Sequence, residues 1–228
     1  MTPASSFGAV LSRIGEIQTP LSAVASVLIG LLALGVVGVQ AIWEIARYAD
    51  TIAHEGMHAV TGSALGRKVR GVELRGNGDG MTDLSPGGTG GSILIVFAGY
   101  LGPSVFGLGA AKLIEVGHSV AVLWLTLLLL VLLLFVLRNV FAYVPVLIVG
   151  TLLFLIARYA SVGTETAVAY AVAWFLLLSG VRKVLYRGTG AGDAAILAGI
   201  THIGRGFWVL LWLLGTIAAV AIGGSLLV

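Results

Sequence analysis

Long apolar stretches alternate with short polar segments along most of the chain. Six of these stretches carry no formal charge: Leu21–Ala41, Ser92–Ala111, Ser119–Leu137, Phe141–Ala157, Thr166–Val181 and Phe207–Leu227. A transmembrane helix needs about 20 mostly apolar residues. A seventh apolar stretch, Ile42–Leu65, is interrupted by acidic, basic and histidine side chains. The pattern predicts an all-α polytopic membrane protein with about six to seven transmembrane helices.

The composition supports the same class. Of the 228 residues, 58% are hydrophobic and only 10% are charged, whereas soluble domains are about 45–50% apolar and about 25% charged. The net charge of +3 comes from 13 scattered Lys and Arg residues, so we predict a lipid bilayer and no nucleic acid as the partner. The absence of cysteine excludes disulfides and thiol chemistry.

The distribution of positive charge predicts a topology. If the N-terminus is cytoplasmic and all seven stretches cross, ten basic residues fall inside and three outside, as the positive-inside rule requires. This arrangement places Arg13 inside and Glu165 outside. Residues 1–20 form an N-terminal segment before a retained first helix. The excess of Arg over Lys favours a GC-rich bacterium, and hence a plasma-membrane location.

Two connecting segments have patterns of their own within a single predicted domain, residues 1–228. Residues 68–86 combine the alternating run Val72–Arg75 with the turn signal Asn77–Gly80, which predicts a small cytoplasmic β-hairpin. Residues 187–206 contain Gly188, Gly190 and Gly192 before a short apolar piece. This piece is too short to span, so we predict a re-entrant or interfacial segment.

The interrupted stretch contains a metal-binding pattern. Residues 42–66 form the predicted metal-motif helix, which contains His54-Glu55-Gly56-Met57-His58, and ionisable residues in a membrane span mark functional sites. His54 and His58 lie one helical turn apart, so both imidazoles can bind one Zn²⁺ ion. Glu55 points to one side and can act as the base for a metal-activated water. The competing interpretation is a pair of buried structural histidines with Glu55 as an ion-pair partner.

Neighbouring charges in this helix have simpler roles. Asp50 lies one turn before His54, where it either orients a histidine ring or carries a charge at the helix end. Glu44 and Arg47 are spaced as an i,i+3 surface pair, which the predicted topology places near the outer interface.

A third metal ligand must come from elsewhere in the chain. Asp193 fits best because it precedes the short apolar piece on the inner side, followed by His202 and then Asp83. The competing role of Asp193 is a helix N-cap. The full set of candidates is Asp79, Asp83, Glu115, His118, Glu165, Asp193 and His202.

Several motifs resemble the M50 family of membrane metalloproteases, in its M50B-like branch related to site-2 proteases. They are Ala53–Ala59, Gly66–Val69, Gly78–Thr82, Ala98–Pro103 and Gly192–Ala195 with Leu197, Ala198 and Thr201. The resemblance implies zinc ligands His54, His58 and Asp193, with Glu55 as catalytic base. Classical site-2 proteases carry their distal aspartate in an Asn-Pro…Leu-Asp-Gly context, and here Asp193 precedes Ala194 instead.

These features predict a zinc-dependent intramembrane endopeptidase that acts on membrane-embedded proteins or peptides. An exposed strand edge within Lys68–Leu84 would hold the unwound substrate by β-addition, and proline at Val72 or Leu74 would test this. The alternative is a non-catalytic membrane protein that retains the fold and metal site for binding or regulation. A transporter is disfavoured because no internal repeat is present, and Ser104 has no histidine partner for a serine-protease site, so it is a predicted packing residue.

Overall fold

The computed structural model describes residue 8 and residues 12–187 and 192–228. Gly188, Gly190 and most of the predicted N-terminal segment before residue 12 lie outside the described residues. The described part contains eight helices of at least nine residues and one two-stranded sheet: α1 Ala23–Gly38, α2 Gln40–Ala64, β1 Val69–Leu74, β2 Gly80–Leu84, α3 Thr89–Glu115, α4 Ser119–Leu134, α5 Val140–Tyr159, α6 Val162–Arg187, α7 Asp193–Thr201 and α8 Arg205–Leu227.

The predicted class, an α-helical protein with several apolar spans and a small hairpin, is confirmed. Within the described ranges, α3, α5, α6 and α8 are each long and apolar enough to cross a membrane. Helices α1 and α2 pass the same test only as a pair, which is bent by 100°. Helix α4 has 16 residues and is shorter than a full span. The structure therefore supports four to five candidate crossings, and the count of six to seven stays a prediction.

The bend between α1 and α2 is held from the side by Arg182 on α6. Its guanidinium donates to the Val37 carbonyl and to Oε1 of Gln40, and it lies 4.8 Å from the ring centroid of Trp43. A carbonyl at a helix end lacks an intrahelical partner, and Arg182 supplies one. The bend makes α2, which carries the charged stretch, a separate element from the apolar α1.

Helix α3 packs against α2, α6 and α8 at the centre of the bundle. Small residues permit close contact at two of these interfaces, because a Cβ atom on Gly107 would lie 2.9 Å from Leu177, and one on Gly102 would lie 2.7 Å from Met57. Close backbone approach at small residues is the usual way in which membrane helices associate. Ser104 is buried against Gly180 of α6, which agrees with its predicted packing role.

The predicted β-hairpin is present and lies along α2. Its strands are antiparallel, with Val72 opposite Thr82. The Tyr48 hydroxyl donates to the Gly76 carbonyl at 2.7 Å, and the Thr51 hydroxyl donates to the Gly78 carbonyl at 2.8 Å. The hairpin therefore runs back beside the helix that carries the two motif histidines.

The open edge of this sheet is β2, which lies within the predicted segment Lys68–Leu84, whereas the β1 edge at Val72 and Leu74 is covered. The N–H of Val72 donates to the Val136 carbonyl at 2.7 Å, and Arg138 N–H donates back to the Val72 carbonyl at 3.0 Å. Asn139 covers Leu74 in the same way through its side chain. These bonds arise because the chain between α4 and α5 returns at the level of β1.

The described residues of the N-terminal segment, from residue 12 onward, lie at the end of the bundle where α6 begins. Arg13 forms an ion pair with the buried Glu165 at 3.0 Å, and Gln18 N–H donates to the Gly117 carbonyl at 2.7 Å. The prediction that Arg13 and Glu165 face opposite sides of the membrane is therefore wrong. Arg47, predicted near the outer interface, lies instead beside Gly78 in the hairpin turn.

Candidate metal centre

The two motif histidines meet on the face of α2 that packs against α3. Their ring centroids are 4.7 Å apart, and both side chains are buried. Gly99 of α3 makes room for them, since a Cβ atom there would overlap the His58 ring and approach His54 at 3.0 Å. A glycine at this position therefore lets α3 cover the histidines while leaving their rings in place.

Hydrogen bonding fixes the orientation of His58. Its Nδ1 lies 2.9 Å from the Ile95 carbonyl, which can only accept, so Nδ1 carries the proton and Nε2 keeps a lone pair. Nε2 of His58 lies 3.2 Å from Nε2 of His54. Such bonding of the far ring nitrogen to a carbonyl is typical of metal-ligating histidines.

Asp193 is the acidic residue that joins these histidines. It begins α7, and its Oδ2 lies 3.2 Å from Nε2 of His54 and 3.3 Å from Nε2 of His58. The N-cap position belongs to Gly192, so the N-cap interpretation of Asp193 is wrong. The other two favoured candidates lie elsewhere: His202 is exposed at the end of α7, and Asp83 pairs with Arg138 at 3.2 Å.

The three atoms fit a small divalent cation. Four ligands at about 2.0–2.1 Å in a tetrahedron lie about 3.3–3.4 Å from one another, close to the 3.2–3.3 Å separations found here. Oδ2 of Asp193 is buried and lies against Nε2 of both histidines. A carboxylate oxygen that faces the Nε2 lone pair of His58 is unfavourable in a buried site unless a cation lies between them.

Glu55 lies beside this cluster without belonging to it. Its Oε1 is 4.0 Å from Nε2 of His54, and its Oε2 accepts a hydrogen bond of 2.7 Å from the Thr82 hydroxyl. The side chain is buried against β2, where a Cβ atom on Gly80 would overlap it. One carboxylate oxygen therefore faces the histidines and the other is held by the hairpin.

Of the charged residues of α2 near the cluster, Asp50 has a different partner from the predicted one. Asp50 contacts neither histidine ring and pairs with Lys183 of α6 at 3.0 Å, so its predicted role in orienting a histidine is wrong. The predicted Glu44–Arg47 pair is present at 2.7 Å.

Sequence reasoning missed three residues around the cluster: Thr82, Tyr100 and Lys183. The Tyr100 ring meets His54 edge-on at 5.1 Å and stacks on Trp212 at 4.2 Å. The sequence signals near it are the motif Ala98–Pro103 and, within it, Gly99 and Gly102, whose i,i+3 spacing marks a close helix contact. Nothing in the sequence pairs Thr82 or Lys183 with partners that lie so far away along the chain.

A cleft of about 1020 Å³ leads to the cluster. Strand β2 forms one wall through Met81 and Thr82, and α7 contributes Ile196 and Ile200. The cleft is of the size that holds small ligands or a short length of chain, and the open strand edge lies along it.

Apolar helices long enough to span a membrane thus surround a His-His-Asp cluster that could hold a metal ion, with a glutamate beside it. A family model described as Peptidase M50B-like matches residues 27–223. The chain belongs to the Peptidase M50B-like family. Searches of curated proteins and of solved structures gave no match.

Proposed function

We propose that this protein is a zinc-dependent intramembrane endopeptidase. His54, His58 and Asp193 would hold the zinc ion, and Glu55 would act as the catalytic base. The observation that carries the proposal is the convergence of two ring nitrogens and one carboxylate oxygen within 3.2–3.3 Å, with Glu55 beside them. The cation would lie between Nε2 of His54, Nε2 of His58 and Oδ2 of Asp193.

The residues divide the chemistry between them. A bound zinc ion supplies Lewis acidity for peptide-bond hydrolysis. Oε1 of Glu55 faces the cluster and would accept the proton of the attacking water, then transfer it to the leaving amide nitrogen. The buried surroundings of Glu55 and His54 exclude bulk water and strengthen the electrostatic contribution of each group.

The substrate would be an unwound segment of a membrane protein or peptide, held along β2. In an antiparallel pair, two opposite residues direct their backbone groups either both toward each other or both away from each other. Val72 directs its groups away from β2, so its partner Thr82 directs its own away from β1, and into the cleft. A peptide added there would lie beside Glu55.

The charge distribution favours a cytoplasmic position for the hairpin end of the bundle in a bacterial plasma membrane. With Arg47 at the hairpin end and Arg13 at the opposite end, the hairpin end has ten basic residues and the opposite end has three. The N-terminal segment would then lie on the outer face, and not in the cytoplasm as the sequence predicts. The ten are Arg47, Arg67, Lys68, Arg70, Arg75, Arg138, Arg182, Lys183, Arg187 and Arg205.

Comparison of wild type with Glu55→Gln tests the proposal. Membranes from cells that express each form are compared by labelling new protein N-termini, and each candidate substrate is then cleaved by purified protein in liposomes containing zinc. We expect cleavage by wild type and a loss of at least about 1000-fold in Glu55→Gln with zinc retained, since the base supplies much of the rate. Equal profiles in both strains would favour the non-catalytic alternative.

A further inference from the structure

One hydroxyl group of the hairpin binds the oxygen of Glu55 that does not face the cluster. The Thr82 hydroxyl lies 2.7 Å from Oε2 of Glu55 and 3.2 Å from the Glu55 carbonyl. The hydroxyl has one proton to donate, and the shorter contact assigns it to Oε2, so Thr82 restrains the Glu55 side chain. Oε1 is left 4.0 Å from Nε2 of His54.

Gly80, on the same strand as Thr82, lies directly against the Glu55 side chain. Residues 80 and 82 are two apart on β2, so their Cβ positions lie on the same face of the sheet. A Cβ atom on Gly80 would lie 2.5 Å from Cγ of Glu55, which leaves room for the glutamate only while position 80 is glycine. The face of β2 that contacts α2 is therefore shaped around this one carboxylate.

We propose that Thr82 is a positioning residue for Glu55, which links the hairpin to the catalytic base. The inference rests on the proposed function of Glu55. Thr82 directs its side chain to Glu55 and its backbone groups to the open edge of β2. A peptide that pairs with this edge fixes the same residue that holds Glu55, so substrate docking and alignment of the base occur together.

Two substitutions at position 82 and one matched control separate positioning from simple packing. Thr82→Val keeps the shape and removes the hydroxyl, while Thr82→Ser keeps the hydroxyl. Thr51→Val is the control, because the Thr51 hydroxyl also joins α2 to the hairpin but donates to the Gly78 carbonyl. The substrate is the transmembrane peptide identified from the comparison of N-termini.

We expect Thr82→Val to lower kcat by about 10–100-fold with KM within about twofold, as loss of an orienting partner does. Thr82→Ser retains kcat within about threefold, and Thr51→Val retains kcat although it unfolds at a lower temperature. A wild-type kcat in Thr82→Val, or an equal fall in Thr51→Val, would overturn the inference.

A second measurement does not depend on activity. If the Thr82–Glu55 hydrogen bond is formed, Thr82→Val lowers the unfolding temperature of wild type more than that of Glu55→Ala, because the partner is already absent there. Equal shifts in both backgrounds would overturn the inference. Failure of the proposed function is recognised separately, since wild type and Glu55→Gln would then cleave equally, and no positioning role for Thr82 would stand.

Discussion

The carboxylate of Asp50 lies 3.0 Å from the ammonium group of Lys183, and this ion pair joins α2 to α6 one turn before His54. The Asp50 and Lys183 side chains are 2% and 11% exposed. Breaking a buried pair leaves one charge without a partner in a medium that solvates it poorly. The pair therefore holds the helix that carries the histidines in its place against α6.

Removal of either partner should destabilise the protein. We expect Asp50→Asn and Lys183→Met each to reduce the free energy of unfolding by about 3–5 kcal/mol, measured by denaturation in detergent. The control is Lys112→Met, which breaks an exposed i,i+3 pair with Glu115 and should cost less than about 1 kcal/mol. Equal effects for Lys183→Met and Lys112→Met would show that the Asp50–Lys183 pair is solvated.

Gly99 should be required for the metal centre itself. A methyl group at this position overlaps the His58 ring, so we expect Gly99→Ala to displace His58 and reduce zinc content, with a cost in stability of about 1–3 kcal/mol. Gly109→Ala on the same helix has no atom within 4 Å of the new Cβ and should be neutral or stabilising. Zinc binding by Gly99→Ala at the wild-type level would contradict this geometry.

Asn139 should protect the β1 edge of the hairpin from solvent. Its side chain accepts from Leu74 N–H at 3.2 Å and donates to the Leu74 carbonyl at 2.6 Å. Asn139→Ala leaves both backbone groups unpaired, and we expect a loss of about 1–3 kcal/mol with faster amide hydrogen exchange at Leu74. Unchanged exchange at Leu74 would mean that β1 does not depend on this cover.

The placement of Arg13 beside Glu165 predicts sidedness. Because the natural chain has no cysteine, single cysteines can be labelled without background. Ser12→Cys and Ser161→Cys should react with a membrane-impermeant thiol reagent from one side of a vesicle, and Gly90→Cys, at the start of α3, from the other. Labelling of Ser12→Cys and Gly90→Cys from the same side would contradict the arrangement.

Much of the fold could be predicted because its causes are local. Charge-free apolar runs mark the helices, and the alternation before Asn77–Gly80 marks a hairpin. The 100° bend at Val39 could not be predicted, since the chain there has no proline and the bend is held by Arg182, far away along the chain. The pairing of Arg13 with Glu165 is likewise a long-range contact that alternating spans do not reveal.

The residues of the candidate site likewise fall into those that local sequence predicts and those that only long-range packing brings there. His54 and His58 are visible because their spacing on one helix fixes their separation. Asp193 was placed through its position before a short apolar piece and through the family resemblance, and the structure brings it within 3.3 Å of both rings. Thr82 and Lys183 reach the site from another strand and another helix, so only the packed structure shows them.

The metal content of purified protein tests the central claim most directly. We expect one zinc ion per chain in wild type and Glu55→Gln, and loss of zinc in His54→Ala, His58→Ala and Asp193→Ala. Two control variants, His202→Ala and Asp83→Ala, should keep the ion, because neither residue lies in the cluster. Zinc retained in Asp193→Ala, or absent from folded wild type, would contradict a metal centre formed by His54, His58 and Asp193.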